Sequence, residues 1–144
     1  MKETIILHTP KTLSFSKRIV KCLPQAVWRR LPAEISVVAV SEKESAALNR
    51  RYRGKNKPAN VLSFWYGKEY GEIIVCASII RSEAKKEKHS FEYQMTWYIL
   101  HGMIHLSGLH HEQSTAAAKK SEALEINILQ TLFQKSGTQH HRIS

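Results

Sequence analysis

The segment HGMIHLSGLHH, residues 101–111, gathers four of the chain's eight histidines into eleven positions. His101 and His105 stand four residues apart, which on a helix is about 40° around the axis and one turn along it. Two imidazoles so placed can reach one ion. His111 lies ten residues after His101. On a continuous helix that is about 15 Å of rise, too far to share an ion with ligand bonds of about 2 Å. Sharing requires the chain to turn back after His105, and Gly108 sits where a left-handed, helix-ending residue would allow it. The pattern H-x3-H-x5-H then offers two ligands from a helix and one from the loop beyond. Three neutral imidazoles with an open fourth position make the donor set of a catalytic zinc-type site, whereas structural sites close all four positions, often with cysteine. The plainer reading is a helix with incidental histidines. The i, i+4 pair on so apolar a segment, with a third histidine after a glycine turn, favours one zinc ion per chain. His110 neighbours His111, so its ring would point elsewhere in an extended segment. It is read as supporting the ligands from behind or facing substrate.

The same spacing occurs in metzincin proteases, H-E-x-x-H-x-x-G-x-x-H. There, glutamate follows the first histidine and serves as the general base. Here that position is Gly102, which cannot take a proton, and Glu112 lies beyond the third histidine. The metal scaffold is zincin-like, but the base for peptide hydrolysis is missing.

A second constellation is RRYRGKNKPANVLSF, residues 50–64. Arg50, Arg51, Arg53, Lys55 and Lys57 put five cations into eight residues. Gly54 and Pro58 place much of this run in a loop. A solvated basic turn would look the same. This one feeds directly into an apolar strand, and Arg53 and Lys55 flank a glycine where backbone amides can approach an anion. Arginine suits phosphate because its planar guanidinium holds it by two hydrogen bonds. The composition agrees: 22 Lys and Arg against 12 Asp and Glu give a net charge of +10, and the pI is near 9.8. Such an excess points to a polyanionic partner, nucleic acid or an anionic surface. Lys85, Lys86 and Lys88 add to it.

The elements that must hold these groups follow from periodicity. TIILH (4–8), EISVVAV (34–40), NVLSFWY (60–66) and EIIVCA (72–77) read as strands, the last two joined by the glycine-bounded GKEYG. Residues 12–30 have helical spacing, with Pro24 as a kink or break. Ser41 with Glu44 is a capping-box signature opening a helix that stops at Gly54. Residues 78–88 form a helix with a basic end, 91–107 a helix apolar on nearly all sides, and 115–133 an amphipathic one. The expectation is an α/β (α+β) fold: one domain over residues 1–136, a sheet of about four strands packed with helices, and a frayed tail at 137–144. No 18-residue apolar run exists, so no membrane span is expected. The first residues lack the apolar core of a signal peptide, so a cytoplasmic location is expected. Cys22 and Cys76 form no CxxC pair and are read as buried thiols.

Taken in order and spacing, NRRYRGKNKPANVLSF, GEIIVC and HGMIHLSGLHH resemble the YbeY family, bacterial rRNA maturation factors regarded as metal-dependent single-strand endoribonucleases. The family pattern is close to YRGKxKPTxVLSFP, GDI and HGxLHLxGYDH, and the resemblance covers nearly the whole chain. It implies a mixed α/β domain with a four-stranded sheet, His101, His105 and His111 as metal ligands, and Arg53 as the functionally important arginine. It further implies action in 16S rRNA 3′-end processing and ribosome quality control. The partners would be ribosomal RNA and the small subunit or its assembly factors, with no obligate protein partner evident. Arg50, Arg51, Lys55 and Lys57 are then substrate-binding residues. Four positions depart: His110 stands for the usual Asp, Leu109 for Tyr, Glu72 for the Asp of GDI, and Trp65 for the proline after Phe64. Losing the Asp leaves the general base open, because a carboxylate there could orient a ligand histidine or a water. Two other functions fit the residues: a non-catalytic RNA-binding assembly module with a structural metal, and a metal-dependent hydrolase of another substrate.

Overall fold

The structure, a computed structural model, describes residues 5–108 and 115–133. His110, His111 and the tail 137–144 lie outside the described residues. The chain begins with a short strand, β1 (Ile6–His8). Next comes a 3-10 stretch (Lys11–Arg18), followed by α1 (Ile19–Cys22) and α2 (Gln25–Trp28). The expected single helix over 12–30 is therefore three pieces. Pro24 ends the second of them, and Leu13 is non-helical at φ −116° and ψ 15°. Over residues 11–22 the buried positions are Leu13, Ser16 and Ile19, a three-residue period that suits the tighter 3-10 winding.

β2 (Glu34–Ala39) leads to α3 (Glu42–Arg53). The capping box forms as the sequence requires: the Glu44 N–H donates to Ser41 Oγ and the Ser41 N–H to Glu44 Oε1, both at 3.1 Å. These bonds hold the Glu44 carboxyl below its ordinary range. At the other end Gly54 is left-handed, with φ 69°. β3 (Val61–Trp65) and β4 (Tyr70–Val75) form a hairpin. Gly71, expected in the connection, is instead inside β4. α4 (Ala77–Glu87), α5 (Phe91–Leu106) and α6 (Thr115–Phe133) complete the described chain. Both cysteines are free thiols, with Cys76 buried and Cys22 half-buried. Among the described residues no helix is long and apolar enough to cross a membrane.

The sheet order is β1-β2-β4-β3, with β1, β2 and β4 parallel and β3 antiparallel to β4. Residues paired across the ladder share a face. Ile35, Val37, Ile73 and Val75 therefore make one apolar face, extended onto β3 by Val61, Ser63 and Trp65. α5 lies on that face and is buried from Tyr93 to Leu106 along most of its length. It comes close to the sheet at Gly102, where a Cβ would stand 3.0 Å from Ile73 Cγ2. Gly71 lies under Leu106 in the same way, at 3.1 Å from Cδ1. A side chain at the position after His101 would therefore press on Ile73, and glycine avoids that contact. Gly102→Glu should lower the unfolding free energy by about 3 kcal/mol or more, since it overpacks the layer and buries a carboxylate in it. Urea unfolding would measure this, and an unchanged midpoint would contradict the packing described.

Candidate active site

The N-terminus of α5 is set by Ser90, whose Oγ accepts from the Tyr93 N–H at 3.0 Å. Helical phase then puts Trp97, His101 and His105 in one i, i+4, i+8 row. The helix ends at Leu106, and Gly108 takes φ 84°. His105 is exposed and His101 half-buried, so the row emerges from the core towards solvent.

The two rings converge. His101 Nε2 and His105 Nε2 are 3.1 Å apart, and the ring planes are inclined at 72°. Two nitrogens bound at about 2.0–2.1 Å to one tetrahedral ion stand about 3.3 Å apart, so the spacing is close to that of two ligands. Behind them, His101 Nδ1 is 2.8 Å from Glu125 Oε2. A carboxylate only accepts, so Nδ1 carries the hydrogen and the Nε2 lone pair faces its partner. Glu125 is 6% exposed, and its other oxygen accepts from Trp97 Nε1 at 3.1 Å. Carboxylate, histidine and an outward-facing Nε2 form the arrangement that orients metal-binding imidazoles. The donor chemistry therefore fits a divalent ion. Among the described residues no group of three or more His, Cys, Asp or Glu converges on one point, and the third expected ligand, His111, lies outside them.

Glu125 is absent from the sequence reading. Its signal was a charge on the buried row Ser121, Glu125, Ile128 and Leu132 of α6, where an apolar residue would be expected.

The histidine pair opens on a cleft of about 490 Å³ whose wall includes Tyr52, Arg53, Ser63, Tyr98, His101 and His105. Arg53 thus meets the histidines from a different part of the chain. It is the last residue of α3, and the loop after it is tied back to that helix. Asn49 Nδ2 donates to Lys57 O at 2.8 Å, Ser45 Oγ donates to Ala59 O at 2.7 Å, and the Ala59 N–H donates to Ser45 Oγ at 2.9 Å. Both Ser45 and Asn49 are buried, so the loop is anchored by polar groups the sequence reading did not single out. Arg50, Arg51, Lys55 and Lys57 are exposed and do not line the cleft. Arg51 lies over the Tyr52 ring at 5.4 Å, and the arginines of the last turn offset the negative end of the helix. Burial, then the neighbouring Glu83, pushes the Tyr98 hydroxyl up to about 12. Tyr98 therefore lines the cleft in its neutral form and is not a base. Among the described lining residues there is no carboxylate. Glu72 pairs with Phe64 and so lies on the sheet face away from α5.

The family model for "Endoribonuclease YbeY" matches residues 2–133. A Cupriavidus metallidurans protein named endoribonuclease YbeY is 37% identical over 121 residues, covering 81% of this chain and 60% of that protein. A Chelativorans relative of the same name is 40% identical over 111 residues, covering 71% of this chain and 68% of its own length. One from Magnetococcus marinus is 34% identical, covering 76% and 85%. The solution structure of TM1509 from Thermotoga maritima superposes with a TM-score of 0.64 at 26% identity, covering 94% of this chain and 93% of that one. With the family model matching nearly the whole chain and relatives of that name 34–40% identical to it, the chain belongs to the endoribonuclease YbeY family.

Proposed function

We propose that this chain is a metal-dependent, single-strand-specific endoribonuclease acting in the cytoplasm on ribosomal RNA, with 16S 3′-end processing and ribosome quality control as its setting. The small subunit or its assembly factors would present the substrate. The observation that carries this reading is the convergence of Arg53 with His101 and His105 on one cleft. His101 and His105, with His111, would hold one divalent ion, for which zinc is the best match to an all-imidazole set. When bound, the ion supplies Lewis acidity and a positive charge at the phosphoryl group.

The chain's own residues do the rest. Glu125 holds the His101 ring and tautomer through the 2.8 Å contact. Arg53 takes a non-bridging phosphoryl oxygen and stabilises the charge that grows there in the transition state. Tyr52, 55% exposed on the same wall, offers a ring to an unpaired base. Arg50, Arg51, Lys55 and Lys57, with Lys85, Lys86 and Lys88, attract the backbone at longer range. Peptide hydrolysis is disfavoured because the residue after His101 is Gly102, which carries no base and lies close against Ile73. The domain is taken to span residues 1–136.

Two results are expected. Binding of a single-stranded rRNA fragment should weaken steeply between low and moderate salt, as several phosphates release counterions, whereas a flat salt response would rule out a polyanion substrate. Glu125→Ala should weaken metal affinity by about 10- to 100-fold, read by competition with a chromogenic chelator. An unchanged affinity would remove Glu125 from the site.

A further inference from the structure

We propose that Trp65 and Arg30 form a nucleobase-binding wall on the far side of His105, where one base of a single-stranded RNA stacks on the indole. The inference rests on the nuclease reading above and deepens it by giving the substrate strand a direction across the site.

A second cavity, of about 460 Å³, lies against the first. It shares Ser63 and His105 with the cleft of Arg53, and its outer wall carries Trp65 and Arg30. His105 is therefore the partition between two openings, one walled by Tyr52 and Arg53, the other by Trp65 and Arg30. A strand whose phosphate sits at the histidines can leave through either.

Strand geometry explains why Trp65 is presented there. Alternation along β3 sends Val61, Ser63 and Trp65 to the α5 face and Leu62 and Phe64 to the other. Tyr66 continues the second set, its N–H donating to Tyr70 O at 3.0 Å. The cross-strand partner of Trp65 is Gly71, which has no side chain to cover an indole. The space over Gly71 is filled from elsewhere, by Pro32 and Leu106. Trp65 is left 60% exposed, so its ring face is open to a ligand in this cavity. Arg30 is exposed on the same cavity, and its guanidinium can meet a phosphate or lie over a base.

A flat aromatic face, a cation and continuity with a phosphate-directed site describe an unpaired nucleotide. The +10 charge favours the same occupant. A duplex base is already stacked and cannot turn its face to the indole.

Tyr66 provides a matched control. It is 61% exposed, adjacent in sequence, and directed to the opposite face. The test titrates full-length protein with a single-stranded oligouridylate and with the same strand paired to oligoadenylate. Anisotropy of the labelled strand reports affinity, and intrinsic tryptophan fluorescence reports stacking. Wild type should bind the single strand with quenching and the duplex without it. Trp65→Ala should bind the single strand about tenfold or more weakly, the scale for one lost base–aromatic stack. Trp65→Phe should keep the affinity and lose the quenching. Tyr66→Ala should match wild type in both. Arg30→Gln should weaken binding several-fold and lower the salt slope by about one phosphate. If Trp65→Ala binds as wild type does, or if quenching survives in Trp65→Phe, the wall is wrong while the nuclease reading stands. If wild type neither binds nor cleaves the single strand, both fall together.

Discussion

His105→Ala should abolish RNA cleavage and lower the metal content of the purified protein well below one ion per chain. His105 is exposed at the cleft, so its loss removes no core packing and the fold should survive. Its Nε2 lies 3.1 Å from that of His101, so truncation leaves at most two imidazoles of the proposed three. Two neutral ligands hold a divalent ion far more weakly than three, and the site would lose the positive charge at the phosphoryl group, worth several kcal/mol of barrier. The expected loss of rate is about 10³-fold or more. Element analysis and circular dichroism on the same preparation separate a lost ion from a lost fold. Equal metal content in variant and wild type would remove His105 from the ligand set.

Arg53→Ala should show the second largest effect and a different signature. Arg53 shares the cleft with His101 and His105, but no ligand role falls to it, so metal content should stay at the wild-type level. An arginine that meets charge developing only in the transition state affects the rate more than the affinity. The single-turnover rate should fall by about 10²-fold or more, while RNA affinity changes little. Arg53→Lys should recover part of that, since a point charge cannot reproduce the two-pronged contact. Lys57→Ala is the comparison, because Lys57 is exposed and outside the cleft wall. It should cost one phosphate contact and reduce the salt slope by about one. Equal, small effects from Arg53→Ala and Lys57→Ala would make Arg53 one cation among several and favour the non-catalytic RNA-binding module.

The parts of the site that lie on one helix or just past its end were legible in the sequence. His101, His105 and Gly108 lie within eight residues, and helical geometry alone relates them. The capping box was legible for the same reason, since both of its hydrogen bonds are local. What sequence spacing cannot convey is contact between distant segments. Glu125 is 24 residues from His101, and its role appears only once α6 lies beside α5. Among the five clustered cations, three of which end α3 and two of which follow it in the loop, counting charges did not distinguish Arg53 from Arg50, Arg51, Lys55 and Lys57. The end of α3 does, because it brings Arg53 alone of the five to the cleft wall. Gly71 misled in another way. Glycine usually marks a turn, but here it lies in a strand because Pro32 and Leu106 occupy the space of a side chain. The 3-10 stretch was obscured by Ser16, a polar residue at a buried position of its three-residue period.

The most direct test is cleavage of a single-stranded RNA by purified full-length protein, before chelation, after chelation, and after return of zinc. The double variant His101→Ala, His105→Ala is purified and assayed in parallel. The expected result is that wild type cleaves, chelation stops it, zinc restores it, and the double variant stays inactive throughout while remaining folded. Cleavage by the double variant at the wild-type rate, or wild-type cleavage indifferent to chelation, would contradict a metal-dependent nuclease centred on this histidine pair.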